Sequence, residues 1–537
     1  LQRAPDFYFS LNFDQCPSIG FFGGDIMGQE SGLLQRQHSM FYGAMLLTAG
    51  SLGLRLVQLL FQIYISGVMG AAGLGRMQLI MAVGSFAAIL GSGGVRIAVT
   101  CLAAEEAGRD RASGVRAAVR CCAVYGLILS VLVGAILYLF AEPLAETWVD
   151  DLSAALPLRI YALFLPITVL WSVLAGYFTA AQRITELVGL EFFERLLSIA
   201  LVVLGIKTGF GGFDPCTMIF LGSSLATLFS FLLLLRRYLR SIHGTAPMAF
   251  RPMMVRLLKL AIPLGFNDIL RSGLGTIENI LVPKGLRKSG QSGEAAISAY
   301  GTICGMVFPV ITFPSVILYS LSDLLVPEMA RCKAKNRTER TIFLADKCLR
   351  LTLLFAAGTS GLCYGLGDQL GYLLFGSADA GTYIRVFSPL ILILYLDAIT
   401  DGMLKGLSQQ IHSVRYNTLT SLMDVAMLAV LLPRYGIGGF LAAFTVSHGV
   451  NFFLSLRRLM VVTGYSPRFH ATIKATLSCF AALYVLFLLP QGVPVTILGT
   501  ILEAGLFLIC YLLLLLLTGA LERADLCWLW GLVRQRP

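Results

Sequence analysis

The chain has 537 residues, of which 57% are apolar and only 13% charged, and its 41 Lys and Arg outweigh 30 Asp and Glu for a formal net charge of +11. A soluble chain carries about 25% charged residues, and the apolar residues here fall in runs of roughly twenty, enough to cross a ~30 Å hydrocarbon core, so a soluble globular fold is excluded. A transmembrane β-barrel is excluded too, because its strands read as short alternating segments.

Residues 1–39 are polar and aromatic without periodicity and lack the charged start and apolar core of a signal peptide. The chain opens on Leu1, and Met40 directly precedes the first long apolar run; residues 1–39 are therefore expected to be a disordered tail or to lie outside the natural reading frame. Fourteen candidate spans follow, at roughly 42–66, 79–98, 117–140, 155–180, 186–207, 215–236, 257–282, 296–325, 348–366, 383–404, 416–433, 438–456, 472–490 and 495–518. The expected architecture is an all-α integral membrane protein. Pro166, Pro263 and Pro389 interrupt spans, as membrane helices tolerate, and the eighth span, with Pro309 and Pro314, is expected to bend.

Loop charge sets the expected orientation. Arg109, Arg111 and Arg116 follow span two; Arg236, Arg237, Arg240, Arg251 and Arg256 follow span six; Arg331, Lys333, Lys335, Arg337 and Arg340 follow span eight; Arg457, Arg458 and Arg468 follow span twelve. The opposite side holds few cations and the acidic stretch Glu142, Glu146, Asp150, Asp151. By the positive-inside rule both termini lie in the cytoplasm of a multi-pass cell-membrane protein. The basic loops then face anionic lipid headgroups, and no nucleic-acid partner is needed to account for the charge.

The second half of the chain echoes the first. Gly176–Phe213 and Gly402–Phe440 both open on Gly, pass a Gln-containing turn and a long apolar run, and close on G-x-G-G-F. Ser230–Arg237 (SFLLLLRR) answers Asn451–Arg458 (NFFLSLRR), and Ala104-Glu105-Glu106-Ala107 answers, more weakly, Pro327-Glu328-Met329-Ala330. Each lobe would hold six spans, an even number, so the repeats are parallel and related by an axis along the membrane normal, a common transporter construction. The expected division is a tail (1–39), an N-lobe with helices 1–6 (40–240), a C-lobe with helices 7–12 (241–462), and helices 13–14 with a cytoplasmic tail (463–537).

Charges inside the spans mark candidate function. Thr48, Ser51, Arg55, Gln58, Gln62 and Ser66 step by three or four along one face of span one. An arginine at mid-membrane costs about 2.5–3.5 kcal/mol on insertion scales, so this stripe faces a water-filled cavity or a partner; a structural polar seam is the competing reading. Asp268, Arg271, Glu278 and Asn279 repeat the idea in span seven, with Asp268 and Arg271 one turn apart and able to pair. Arg96 in span two is a weaker cavity candidate that would also fit snorkelling. Glu191, Glu194 and Arg195 form a charge cluster in span five; Asp397, Asp401 and Lys405 share a face of span ten; Asp323 and Asp424 stand alone. Glu194, Asp268, Asp323, Asp397, Asp401 and Asp424 are candidate coupling or structural acids, Asp323 and Asp424 fitting hydrogen-bonded core acids slightly better. The cations suit an anionic substrate such as a diphosphate, which arginine grips bidentately. The twelve cysteines form no C-x-x-C and the five histidines no H-x-x-x-H, so no metal site or disulfide framework is indicated. No catalytic constellation appears, and no cofactor is implied; coupling to H+, Na+ or membrane potential stays open. No oligomer interface stands out, which is compatible with a monomer.

Short motifs carry a family resemblance: Gly70-Ala71-Ala72-Gly73-Leu74-Gly75 after span one, Ala175-Gly176-Tyr177-Phe178 and Gln182 ending span four, Glu194-Arg195 in span five, Ile280-Leu281-Val282-Pro283 ending span seven, and Pro314-Ser315 with Leu325-Val326-Pro327-Glu328 in span eight. Over residues 40 to about 518 the chain resembles the polysaccharide-exporter branch of the superfamily of multidrug extruders, oligosaccharide-lipid flippases and the lipid II flippase, and is most similar to the stage V sporulation protein B group of Firmicutes. The resemblance implies a MATE-like fold of two six-helix lobes in a V plus two extra C-terminal helices. It implies alternating access, and a polyisoprenoid-diphosphate-linked sugar, such as a peptidoglycan precursor, as cargo. It implies an arginine-lined cavity, for which Arg55 fits best and Arg96 and Arg271 less well, and a lipid-tail groove on the two extra helices.

A cation-coupled multidrug exporter of the same superfamily is the alternative; it predicts twelve spans and an acidic, aromatic cavity. A major-facilitator transporter is suggested only by the loop at residues 107–116, and a non-transporting scaffold would not need charges at mid-membrane.

Overall fold

The computed structural model describes residues 30–109, 111–241, 250–467, 469–488, 495–521 and 525. Among them every regular element is helical. The first lobe comprises α1 (Glu30–Ser92), α2 (Val95–Gly108), α3 (Ala112–Leu139), the single turn α4 (Ala141–Leu144), α5 (Ala155–Ala180), α6 (Ile184–Thr208) and α7 (Pro215–Ser241). The second comprises α8 (Phe250–Lys288), α9 (Gly293–Gly301), α10 (Phe308–Thr312), α11 (Val316–Ala334), α12 (Thr338–Gly365), α13 (Gly367–Phe375), α14 (Ala378–Phe387), α15 (Leu390–Gly406), α16 (Gln410–Tyr435) and α17 (Ile437–Thr463). Beyond it, α18 (Phe469–Phe487) packs on α12 and pairs with α19 (Ile497–Leu517), where the Tyr511 hydroxyl donates to the Leu354 carbonyl at 2.8 Å.

Each predicted span falls on one of these helices or on consecutive ones, as 79–98 does on α1 and α2, 296–325 on α9 to α11 and 383–404 on α14 and α15. Spans one and two are the arms of α1, continued by α2, which part at Gly70 (φ 67, ψ −179), a conformation essentially confined to glycine. Length and composition alone qualify eight helices for crossing a membrane among the described residues, or nine if the bent pair α14–α15 (56°) is one span; the fourteen expected is not the number this criterion returns. α6 and α8 miss it because Glu191, Glu194 and Arg195, or Lys259, Asp268 and Arg271, interrupt their apolar windows. Residues 1–29 lie outside the described residues, and α1 already begins at Glu30, ahead of the expected Met40 boundary. The eighth span is irregular rather than sharply bent: between α9 and α11 lie a π-helical stretch, Thr302–Val307, and a 3₁₀ turn, Phe313–Ser315, yet Gly293–Ala334 runs on as one span.

The sequence repeat is a structural repeat. The turns after α5 and α15 each place a non-glycine residue in the left-handed region, Gln182 (φ 57) and Ser408 (φ 59), and these sit 226 positions apart (408 − 182), as do Gly176 and Gly402. Trp171 and Asp397 share that offset and reach equivalent neighbours: Trp171 Nε1 donates to Ser230 Oγ at 3.1 Å, and Asp397 Oδ2 accepts from Asn451 Nδ2 at 2.9 Å. Ser230 and Asn451 open the second pair of echoes. The paired arginines there also act alike: Arg237 bonds Glu186 at 3.3 Å and Arg458 bonds Gln409 at 2.7 Å, each tying the last helix of its lobe to the preceding turn.

The lobes meet through α1 and α2 against α8 and the irregular eighth span. Two hydrogen bonds cross the seam reciprocally. Gln62 Nε2 donates to the Gly305 carbonyl (2.9 Å), and Thr276 Oγ1 to the Ala82 carbonyl (3.3 Å). Each lobe thus donates one side chain to a backbone carbonyl of the other; the acceptors Ala82 and Gly305 share the 223-residue offset (305 − 82) of Glu105 and Glu328, while the donors are 214 apart (276 − 62). Backbones touch at two glycine pairs. A Cβ on Gly301 would overlap the Ala71 carbonyl and Gly75, and one on Gly265 would lie 2.7 Å from the Gly93 carbonyl carbon.

Gly301→Ala is therefore expected to destabilise the purified protein by about 1–3 kcal/mol through overpacking. Gly189→Ala, whose Cβ meets nothing within 4 Å, should be neutral or stabilising by up to ~1 kcal/mol. Thermal unfolding in one detergent compares the two.

Candidate functional site

The stripe on the first arm of α1 faces the second lobe. The Arg55 guanidinium sits 5.0 Å from the ring centre of Tyr319 on α11. Gln58, a turn farther on, is exposed, Gln62 is held by Gly305, and Ser66 is buried with a hydroxyl that has no partner. The side chains of Thr48 and Ser51 lie outside the described residues. A cation over an aromatic ring gains about 0.5–2 kcal/mol, less than the cost of a mid-membrane arginine, so the exposed Arg55 needs water or an anion beside it.

On α8, Asp268 and Arg271 do not form the expected ion pair. Arg271 is exposed and acts on Asp268 from beyond contact distance. Asn279 turns away from any open space, accepting the buried Tyr300 hydroxyl at 2.7 Å and donating to the Gly275 carbonyl of its own helix at 2.7 Å. Glu278 is half-buried on α8, which packs against α16, the helix that carries Asp424.

The first lobe gathers a smaller cluster. Arg96 pairs with Glu191 on α6 at 3.6 Å and lies over the Trp171 ring at 5.9 Å, so it is tied into its own lobe. Glu194 Oε1 accepts from Thr227 Oγ1 of α7 at 2.7 Å. The expected internal cluster on α6 is thus spread over three helices, and no ion pair joins Arg195 to Glu191 or Glu194 among the described residues.

The second lobe carries a continuous polar chain. Lys405 holds Asp401 at 2.7 Å one turn away, and Ser413 donates to the other oxygen of Asp401. Asn417 Nδ2 donates to Ser413 Oγ at 3.4 Å, and Asn451 Nδ2 donates both to Asn417 Oδ1 (3.0 Å) and to Asp397 Oδ2 (2.9 Å). Asp397 Oδ1 is buried and unpartnered. Asp424 is buried and accepts from Ser447 of α17 at 2.8 Å, the arrangement of a hydrogen-bonded core acid. Asp323 is on α11, with its side chain outside the described residues. No group of three or more His, Cys, Asp or Glu able to hold a metal occurs among the described residues.

The geometry therefore separates two kinds of site. The exposed guanidinia of Arg55, over a ring of the other lobe, and of Arg271 on α8 have no ion pair among the described residues, while Asp397, Asp401 and Asp424 lie within the second lobe among hydroxyl and amide donors. Tyr319, Asn417, Ser447 and Asn451 were not picked out as site residues. They are uncharged residues inside apolar runs, and the signal that finds Asn451 is its place opposite Ser230 in the repeat.

The family model described as "Polysaccharide biosynthesis protein" matches residues 41–333. The "Stage V sporulation protein B" of Bacillus subtilis (strain 168) is 24% identical over 434 residues, 76% of this chain and 80% of that protein. "Sporulation protein YkvU" of the same organism is 21% identical over 277 residues, 50% of this chain and 61% of that protein. Among solved structures, the lipid II flippase MurJ in an inward closed conformation superposes with a TM-score of 0.68 at 12% identity, over 88% of this chain and 98% of the other. A multidrug resistance MATE family transporter of the MOP superfamily, inward-facing, gives 0.61 at 16% identity over 77% and 96%. These superpositions show the MATE-like fold, two lobes of membrane helices with additional C-terminal helices in this chain.

Asn451→Ala should cost about 1–3 kcal/mol of stability, because it strips Asp397 of its one hydrogen bond and leaves a buried carboxyl unsatisfied. Adding Asp397→Ala should recover part of that loss. A thermal double-mutant cycle tests the coupling, and strict additivity would show that the two side chains do not interact.

Proposed function

This chain belongs to the polysaccharide biosynthesis protein family, and we propose that it is a flippase that carries a lipid-linked anionic saccharide, a polyisoprenoid-diphosphate sugar such as a peptidoglycan precursor, across the cell membrane by alternating access of its two lobes. The observation that carries this reading is Arg55, an exposed guanidinium inside a membrane helix, aimed across the seam at Tyr319 of the other lobe. Arg271 supplies a second exposed cation from α8. A diphosphate offers paired oxygens for bidentate arginine contacts, and the Tyr319 ring offers an apolar face for a sugar or isoprenoid carbon. Arg96, committed to Glu191, is better read as a positioning residue of the first lobe. The similarity to stage V sporulation protein B and the fold shared with a lipid II flippase support this substrate class.

Under this reading both termini are cytoplasmic, as the basic loops suggest, and the carboxylates of the second lobe couple transport to an ion. Asp397, Asp401 and Asp424, each held by side chains of neighbouring residues, are the acids placed to take up H+ or Na+. The same acids favour the second reading, a cation-coupled multidrug exporter.

Proteoliposomes holding a labelled polyisoprenoid-diphosphate disaccharide, with access to an external modifying enzyme as readout, test the first reading. Arg55→Ala and Arg271→Ala are expected to slow flipping about tenfold or more, as loss of ~1.4 kcal/mol or more of charge-assisted binding implies, with folding unchanged. Arg55→Lys should restore little if bidentate contact matters and most if charge suffices. Normal flipping by both alanine variants would remove the cationic cavity from the mechanism. No flipping by the wild type, with efflux of a fluorescent cation under an ion gradient, would favour the exporter.

A further inference from the structure

We propose that α8 is clasped to the first lobe at both membrane faces, by Arg256 on the arginine-rich face and Arg287 on the opposite face, and that lobe movement opens these clasps in alternation. At the first end, Arg256 donates one nitrogen to Glu106 and the other to Glu105, both at 2.6 Å. Both acids sit near the end of α2, where Arg109 joins them at 2.7 and 3.3 Å. At the far end, Arg287 donates to Asp150 at 2.6 Å, on a left-handed turn (φ 58), beside the Arg76–Asp151 pair at 3.1 Å. The two arginines are 31 residues apart (287 − 256). That is about 46 Å of helix at ~1.5 Å per residue, close to the full ~40–45 Å of a bilayer with its headgroups.

Between the clasps α8 meets the first lobe backbone to backbone at Gly265, against Gly93 and Gly94, and farther along through the Thr276 hydroxyl on the Ala82 carbonyl. Rocking about these contacts lifts one end of α8 from the first lobe while pressing the other against it. The clasps are also unequal. Glu106 is fully buried, one of its oxygens has no hydrogen bond, and Gly114 leaves just the room it occupies. Releasing Arg256 therefore breaks two charge-assisted bonds and leaves the buried Glu106 with only the longer Arg109 contact at 3.3 Å. Arg287 and Asp150 (30% and 35% exposed) are about as open to water and salt as Arg256 and Glu105 (32% each), but they share a single contact and have no fully buried partner like Glu106. The edge between α2 and α8 is thus held more firmly on the arginine-rich face.

This inference rests on the lobe-rocking of the proposed function, not on its substrate. Spin labels on non-canonical residues, which leave the native cysteines in place, give the test by electron–electron distance measurement in lipid nanodiscs without substrate. One pair, at Arg111 and Lys259, reads the Arg256 end; the other, at Glu146 and Lys288, reads the Arg287 end. Arg256→Ala is expected to raise the long-distance population of the first pair roughly fivefold or more and leave the second unwidened. Arg287→Ala should widen only the second pair, by less. If Arg256→Ala does not accumulate, Glu105→Gln, which keeps Glu106 paired, should widen the first pair to a smaller extent. Unchanged distances in these variants, or widening of both pairs together, would overturn the clasp. Selective widening in a protein that moves no polyisoprenoid lipid would refute the substrate and leave the clasp standing.

Discussion

The structure depends on one constraint, the cost of placing charge in hydrocarbon. A helix carrying a bare carboxylate or guanidinium at mid-membrane is unfavourable by several kcal/mol, so each such group must find a partner, water or a ligand. Most here find partners on another helix: Glu191 with Arg96, Glu194 with Thr227, Asp397 with Asn451, Asp424 with Ser447. These pairs fix helix neighbours in a medium where apolar packing discriminates poorly, since lipid tails are as apolar as leucine. Arg55 and Arg271 are the contrast. Both remain exposed without an ion pair among the described residues, and Arg55 faces a ring of the other lobe.

The repeat converts that constraint into symmetry. Two lobes built alike expose alike surfaces, and at their junction each donates to a backbone carbonyl of the other, Gln62 to Gly305 and Thr276 to Ala82. Inside the lobes the copies have diverged where chemistry differs. Trp171 and Asp397 occupy equivalent places, but the first is an indole donating to a hydroxyl and the second a carboxylate accepting from an amide. At this position the second lobe carries a carboxylate where the first carries an indole.

Much of this was legible in the sequence. Hydrophobic runs located the helices, the prolines marked the irregular eighth span, and charge spacing put Asp401 and Lys405 on one face, where they pair. What failed was inference from one helix alone. Asp268 and Arg271 are spaced to pair and do not, and Asn279, on the same stripe, is taken by Tyr300. Helical periodicity shows which residues share a face but not which neighbour that face meets, so Tyr319 and Ser447, supplied by other helices, could not be read from it. The clasp residues were visible only as loop charge; that Arg256 reaches Glu105 and Glu106 depends on a contact spanning some 150 positions.

The irregular eighth span shows how these levels join. A π stretch and a 3₁₀ turn disturb the regular backbone hydrogen bonds, and in a membrane the freed groups need other donors. The donors come from both sides: Gln62 of the first lobe serves the Gly305 carbonyl, and the buried Tyr395 of α15, stacked on Phe355, serves that of Ile311. The irregular segment is therefore held to its own lobe at one point and to the opposing lobe at another. Any relative movement of the lobes must exchange or stretch the Gln62 bond while the Tyr395 bond keeps its place. Gln62, read from the sequence as a cavity residue, is thus better understood as the point where α1 grips a deformable helix, one turn from Gln58 and two from Arg55. That proximity gives a ligand bound at Arg55 a short mechanical path to the segment best able to bend.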